Sequence, residues 1–448
     1  MILNTASSIK PSLPALAEHR TLRFITSALL YFMQGVPIGI SMIAIPAWLA
    51  ANGASPVQVG AFVGFAALPW SLKPFAGIVM DRFTFRPMGR RRSWILIGQA
   101  SMVVVLLALA MTAPAPGEIS LLAGFCFALN LCAILNDVAV DGMTIDIVPE
   151  NERTAINGVM LGSQTLGISA TALVAGRLLA PHGFGLTALV LAGFVAAASL
   201  FVACFRERAG ERLLPWSKGE ASEACLAQQH DTLKPILTGL MRAFAVPATA
   251  LFLLATFLSI AVFGFTDAVA PTLAVQGLGW TSEAYSNLGA IVNLVAGVLA
   301  LFAPMLIERI LGRTRAPVAL MLLVLVSALA GAGMYALGPL DGHVFTVLFV
   351  LFYVPAILTN VLLIAWAMRL CDPAVAASQF ALFMAIPNFG RSLMASGGGW
   401  LAGAEGYDAT LVAVAVFMFL AMLLLVISSR LAHRVHQPTT RAIIGQDA

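Results

Sequence analysis

The chain has 448 residues, of which 60% are hydrophobic and 10% are charged. Soluble domains carry about 25% charged residues, so this composition excludes a soluble globular protein and predicts an integral membrane protein. The net charge is only +4, and no basic stripe with interleaved aromatic residues occurs, so we expect no nucleic-acid partner.

Apolar runs long enough to cross a bilayer as a helix, about 20 residues each, occur twelve times along the chain. We therefore predict an all-α membrane protein with twelve transmembrane helices. The predicted spans are 22–50, 56–80, 94–113, 119–145, 154–180, 186–205, 248–274, 283–307, 317–337, 343–370, 377–403 and 408–430.

These spans form two groups of six, separated by a mixed-charge stretch that is too polar to cross a bilayer. The grouping indicates an internal duplication. It predicts a cytoplasmic arm at 1–21, a six-helix bundle at 22–205, a cytoplasmic linker at 206–247, a second six-helix bundle at 248–430 and a cytoplasmic tail at 431–448.

The distribution of basic residues predicts the orientation. All but three of the 25 Lys and Arg residues lie in the arm, in the tail or in every second loop, or within a few residues of them. Basic residues mark the cytoplasmic side of a membrane protein, so we place both termini in the cytoplasm. The exceptions are Lys73, Arg177 and Arg391. Arg177 is close to the outer end of its span and is interpreted as interfacial.

The loop after the second helix of each half carries a repeated acidic-Arg-Gly-Arg pattern. The two stretches are residues 77–92 and 304–315. This pattern resembles the loop between helices 2 and 3 of the Major Facilitator Superfamily, whose members have two pseudo-symmetric bundles. The resemblance implies a cytoplasmic gate, or latch, formed by Asp81, Arg82, Gly89, Arg90, Glu308, Arg309 and Arg313.

The fourth span contains an unusual concentration of polar residues. Asn130, Asp137 and Asp141 stand at i, i+7 and i+11, which places them on one helical face. A carboxylate in hydrocarbon costs at least about 2.5 kcal/mol, so each must face the bundle interior, water or a cation. A change in water access or in partner can load or unload a proton, so Asp137 and Asp141 are predicted proton-coupling residues. The alternative is a permanently ionised partner of Arg or Lys that fixes two helices together.

Three charged residues in other spans are candidates for substrate binding. Arg391 falls near mid-membrane and requires a carboxylate, either Asp137, Asp267 or an anionic group of the substrate. Lys73 lies about 12 Å into the membrane from Asp81 and is either a charge partner or a side chain that snorkels to the cytoplasm. Asp267 is either a pathway residue or an interfacial carboxylate.

The uncharged candidates for the pathway are Gln34, Gln164, Asn388 and Asn130. Each could instead form a hydrogen bond between helices, worth roughly 0.6 kcal/mol. No phosphate-binding loop, metal-ligand spacing or Ser/His/Asp cluster occurs in the sequence. We therefore expect no cofactor, no metal and no enzymatic activity, and transport energy must come from a gradient.

Several spaced segments resemble the muropeptide permease (AmpG) group of this superfamily. They include QGVPIG in helix 1, MDRFTFRPMGRRRSW after helix 2, NDVAVDGMTIDIVP at 136–149 and the Gly390-Arg391 pair in helix 11. The resemblance implies proton-driven import of anhydro-muropeptides across a bacterial inner membrane. Other branches are similar to siderophore importers, acetyl-coenzyme A carriers and pigment-assembly proteins.

The sequence thus predicts a monomeric, alternating-access symporter of the inner membrane that imports a medium-sized organic solute, such as a muropeptide, with protons. The alternatives are a siderophore or acyl-coenzyme A carrier of the same group, or a membrane assembly factor for pigment-protein complexes that does not transport. An assembly factor would need no charged centre.

Overall fold

The computed structural model describes residues 15–226, 245–338, 340–371 and 376–435, and these residues are nearly all helical. Ten helical segments are long and apolar enough to cross a membrane. One of them, Ala155–Ala203, contains two crossings on either side of a break at Gly183, and Ala376–Glu405 adds another. The twelve predicted crossings are therefore confirmed.

We number the crossings α1 to α12 in chain order. A short helix, Ala303–Leu311, follows α8. The bounds are α1 Arg20–Ala51, α2 Pro56–Met80, α3 Arg92–Thr112, α4 Ile119–Ile147, α5 and α6 before and after Gly183 in Arg153–Ala203, α7 Pro247–Gly277, α8 Ser282–Ala300, α9 Arg315–Leu337, α10 Gly342–Leu370, α11 Ala376–Glu405 and α12 Tyr407–Val435.

The two halves repeat a local irregularity in their first helices. In α1, Pro37 is followed by a π-helical turn at Ile40–Ala44, and in α7, Pro271 is followed by one at Leu273–Gly277. Proline lacks the N–H that an α-helical turn needs, and each π-helical turn begins two or three residues after the proline. The two largest apolar clusters also divide mainly between α1–α6 and α7–α12. The domain boundaries themselves stay predictions, since residues 1–14, 227–244 and 436–448 lie outside the described part of the chain.

We call one end of the molecule the basic end. It consists of the basic loops and of the helix ends that lie nearest the chain termini. At the opposite end the two halves close on each other. The Gln276 amide donates to the carbonyls of Ala50 and Ala54 at 2.9 and 2.8 Å. In the same region Gly60 of α2 packs so closely on Gly399 of α11 that a Cβ on Gly60 would lie 2.7 Å from the Gly399 Cα.

Candidate solute and proton site

A central cavity of ≈ 490 Å³ lies between the two halves. Its wall comes from α1, α5, α7, α8, α10 and α11, and the lining residues lie mainly in the helix portions nearer the basic end. Since the opposite end is closed, the cavity opens toward the basic end. Of the predicted substrate residues, Gln164, Asn388 and Arg391 line this wall.

Arg391 of α11 forms an ion pair with Asp267 of α7. Its Nε and Nη2 lie 2.8 and 2.6 Å from the Asp267 Oδ2, and the Tyr353 hydroxyl donates to the other carboxylate oxygen at 3.2 Å. The guanidinium also lies 5.6 Å from the Phe263 ring centroid. Asp267 is 4% exposed and lies behind the wall, whereas Arg391 lines the cavity. The cavity wall therefore contains a cation whose charge is balanced by the Asp267 carboxylate behind it.

Lys73, Asp137 and Asp141 meet in the first half. The Lys73 Nζ lies 2.6 Å from the Asp137 Oδ2 and 5.1 Å from the Trp70 ring centroid. Asp141 instead accepts a hydrogen bond from the Tyr31 hydroxyl, and Tyr31 lines the central cavity. Asp137 is about 15 Å along α4 from Ile147, so this cluster lies well inside the membrane span.

Two predicted pathway residues are fully buried, and each forms hydrogen bonds between helices. The Asn130 side chain accepts from the Trp70 indole at 2.9 Å and donates to the Ser41 hydroxyl at 3.0 Å. Gln34 accepts from the Gln164 amide at 3.0 Å. Both Gln34 and Asn130 are 0% exposed, so they support the wall from behind and do not line it.

The predicted gate residues lie in two different arrangements. In the first half, the Arg90 Nη1 is 3.7 Å from the Asp146 Oδ1, Gly89 has a φ of +96° and the exposed Arg82 lies over the Phe83 ring. The side chain of Asp81 lies outside the described residues.

In the second half, Glu308 pairs with the end of α10. It accepts hydrogen bonds from Arg369 at 2.8 and 3.2 Å, and the Arg313 Nε lies 3.7 Å away. Arg309 is exposed. The hydrogen bonds from Arg369 lower the pKa of the Glu308 carboxyl.

Sequence reasoning missed a buried cluster at the start of the linker. Glu207 is 0% exposed and accepts the backbone N–H groups of Arg91 and Arg92 at 3.1 and 3.3 Å. Arg92 donates from Nε to the Phe205 carbonyl at 2.6 Å. Burial, followed by repulsion from Glu211, raises the pKa of the Glu207 carboxyl. The first part of the linker is thus folded onto the loop between α2 and α3.

Sequence reasoning also missed Tyr31 and Tyr353, each of which donates to an intramembrane carboxylate. A signal was present. The chain has only five tyrosines, and a tyrosine inside an apolar run needs an acceptor for its hydroxyl. Carboxylates in neighbouring spans are the strongest acceptors available there.

Comparisons with known proteins agree with this geometry. A family model described as Major Facilitator Superfamily matches residues 27–395. The chain is 24% identical over 390 residues to the anhydromuropeptide permease of Escherichia coli K12, covering 85% of this chain and 74% of that protein. It is 27% identical over 190 residues to the putative transporter AmpG 4 of Rickettsia felis, covering 40% and 44%. The crystal structure of a bacterial homologue of the human lysosomal transporter Spinster, inward-facing and occupied, has a TM-score of 0.69 at 14% identity, covering 94% of this chain and 99% of that one.

Proposed function

Since this chain belongs to the Major Facilitator Superfamily and is a multi-pass membrane transporter and not an enzyme, we propose that it imports an organic solute together with protons. The observation that carries the proposal is the central cavity, which is closed at one end, open at the other, and lined by one guanidinium. A carrier that exposes its site to each side in turn needs such a cavity.

The basic end is the cytoplasmic end in this proposal, because Lys and Arg residues concentrate on the cytoplasmic side of membrane proteins. The cavity then faces the cytoplasm, and the membrane is the inner membrane of a bacterium, in line with the permease of Escherichia coli. To load solute from outside, the contacts of Gln276 with Ala50 and Ala54 must open. The gate residues around Arg90 and Glu308 must then close the basic end.

The solute binds in the central cavity, with Arg391 holding an anionic group of the solute and Asn388 and Gln164 contacting its neutral polar groups. A muropeptide is one candidate, since the Escherichia coli relative is an anhydromuropeptide permease. Siderophores and acyl-coenzyme A remain the alternatives among solutes. An assembly factor that does not transport is disfavoured, because it has no need of a charged residue at a cavity wall.

The carboxylates of α4 supply the proton coupling. Asp137 is paired with the Lys73 ammonium at 2.6 Å, so its charge already has a partner. Asp141 has a neutral hydroxyl as its nearest partner, and that hydroxyl belongs to Tyr31 at the cavity wall. Asp141 is therefore the carboxylate that exchanges protons with the cavity, through Tyr31, while Asp137 and Lys73 set the surrounding charge.

The test uses protein reconstituted into vesicles that contain a trapped pH dye. An anhydromuropeptide, a siderophore and an acyl-coenzyme A are added outside in turn, with vesicles lacking protein as the control. Acidification of the interior on addition of one solute, and its accumulation until a protonophore is added, is the expected result. Solute entry that ignores an imposed pH gradient would remove the coupling, and no entry of any solute would remove the import proposal.

A further inference from the structure

The central cavity has an unusually simple charge pattern. Among the described residues of its wall, Arg391 is the one charged side chain. Two of its nitrogens, Nε and Nη2, are engaged by the Asp267 carboxylate. The third, Nη1, has no protein partner among the described residues. The wall can therefore pair with one anionic group, and a second would meet no cation there.

A cationic group on the solute would be equally unmatched. Asp267 lies behind Arg391 and is already paired with it. Asp141 is not among the residues of the wall, and it accepts a hydrogen bond from the hydroxyl of Tyr31, which is. No other carboxylate belongs to the part of the wall that the structure describes.

The neutral polar groups of the wall mostly direct their hydrogens into the protein. The hydroxyls of Tyr31, Thr165, Thr256 and Tyr353 donate to a carboxylate or to backbone carbonyls. The amide nitrogens of Asn293 and Asn388 donate to carbonyls one turn earlier in their own helices, both at 2.9 Å. Each of these groups keeps oxygen lone pairs that can accept a hydrogen bond, and each amide also keeps a second N–H. The wall is therefore suited to a solute that supplies N–H or O–H donors.

From these three observations we infer that the cavity selects a solute with one anionic group, no cationic group and several N–H donors. A short N-acylated peptide with neutral side chains and a free carboxyl end has this chemistry. Its carboxylate binds Arg391 Nη1, its amide N–H groups meet the oxygens of Asn293 and Asn388, and its apolar side chains pack on Phe263 and Met384. A cavity of ≈ 490 Å³ is within the range that holds drug-sized ligands. The inference rests on the proposed function of the cavity as the solute site.

Four matched peptides test it by titration against the purified protein, with the melting temperature or calorimetry as the readout. They are N-acetyl-Ala-Phe with one carboxylate, its C-terminal amide with no charge, N-acetyl-Glu-Phe with two carboxylates, and Ala-Phe with a free amine. We expect the first to bind at least about tenfold more tightly than each of the others, because one charge-assisted hydrogen bond accounts for roughly that factor.

Variants locate the preference. Arg391→Gln should bind the single-carboxylate peptide and its amide equally, and Arg177→Gln, an exposed arginine at the opposite end, should keep the wild-type order. The inference is overturned if the dicarboxylate binds as tightly as the monocarboxylate, if Arg391→Gln keeps the preference, or if no peptide binds at millimolar concentration.

These outcomes are separable from failure of the transport proposal, because binding to detergent-solubilised protein needs no gradient. Binding in the expected order without accumulation in vesicles would overturn transport alone. Proton-driven accumulation of a polyanion would overturn the solute class alone.

Discussion

The two halves of the molecule each hold one cation, a carboxylate partner and a tyrosine within the membrane span. In the first half Lys73 lies 2.6 Å from Asp137, and in the second half Arg391 lies 2.6 Å from Asp267. A tyrosine donates to a carboxylate in each cluster, Tyr31 in the first and Tyr353 in the second.

The clusters differ in charge balance and in which group reaches the cavity. The second-half cluster has one carboxylate for one cation, and the cation lines the cavity. The first-half cluster has a second carboxylate, Asp141, and only its tyrosine lines the cavity. The cation of a balanced pair can bind an anionic solute, whereas an excess carboxylate can take up a proton. In the proposed function, the second half binds the solute, and the first half, which has one acid more, couples protons.

The largest effect should follow from removing the cation of the balanced cluster. Arg391→Gln leaves Asp267 buried without its counter-ion, and breaking a buried pair costs about 3–5 kcal/mol. The double variant Arg391→Gln with Asp267→Asn removes both charges, so we expect it to recover most of this loss. Thermal unfolding of the purified proteins in detergent measures the difference.

The control for this comparison is Arg177→Gln, which breaks an exposed pair with Glu283 at 3.8 Å. An exposed pair contributes less than about 1 kcal/mol, so this variant should unfold close to the wild-type temperature. If the double variant were as unstable as Arg391→Gln alone, the loss would come from packing around the guanidinium and not from the unpaired Asp267.

The next effect concerns the extra carboxylate of the first half. Asp141→Asn cannot carry a proton, so coupling should be lost while solute exchange without a gradient continues. One proton entering down a pH gradient of one unit supplies about 1.4 kcal/mol, which corresponds to roughly tenfold accumulation of a solute with one negative charge. Solute accumulation in energised vesicles should fall by that factor in the variant.

An infrared titration of the purified protein provides an independent measurement, because the C=O stretch of a protonated carboxyl reports the group that takes up the proton. The band that grows on acidification should be absent in Asp141→Asn and present in Asp137→Asn. Loss of the band only in Asp137→Asn would assign the proton to the pair with Lys73 and reverse the proposed roles.

Much of this comparison could be anticipated from the sequence, and the missing parts have identifiable causes. Apolar run length and basic loops predicted the twelve crossings because the bilayer imposes both features locally. The partner of Arg391 was narrowed to two carboxylates within the protein, and helix spacing alone could not choose between them. The pairing of Tyr31 with Asp141 was not predicted because the two residues are 110 positions apart in the chain. Glu207 was read as part of a solvated linker, and only its tertiary contacts bury it.

A smaller effect should follow from removing the tyrosine that joins Asp141 to the cavity. Tyr31→Phe deletes one hydrogen bond, worth about 1 kcal/mol, without changing any charge. We expect roughly fivefold slower proton entry with solute and an unchanged final accumulation, because the carboxylate that carries the proton is still present. The trapped dye gives the rate.

The matched control is Tyr335→Phe, since Tyr335 contacts the ring of Tyr407 and lies away from both clusters. It should leave the rate unchanged. A final accumulation that falls in Tyr31→Phe as far as in Asp141→Asn would mean that the hydroxyl is part of the proton site itself and not only its access route.

The smallest effects test whether the halves also differ in charge balance at the basic end. The raised pKa of Glu207 means that the folded protein keeps a proton that the unfolded chain loses. The contribution of Glu207 to the free energy of unfolding therefore weakens as the pH rises from about 4.3 through the raised value. The lowered pKa of Glu308 acts in the opposite sense, since its contribution is present above the ordinary value and is lost as the pH falls through the lowered one. At neutral pH, Glu207→Gln should therefore raise the melting temperature. Glu308→Gln should lower it, with a loss of less than about 1 kcal/mol in the free energy of unfolding. In melting curves recorded from acidic to neutral pH, both variants should converge with the wild type at the acidic end. Shifts of the same sign at neutral pH would mean that the regions around Glu207 and Glu308 have the same charge balance.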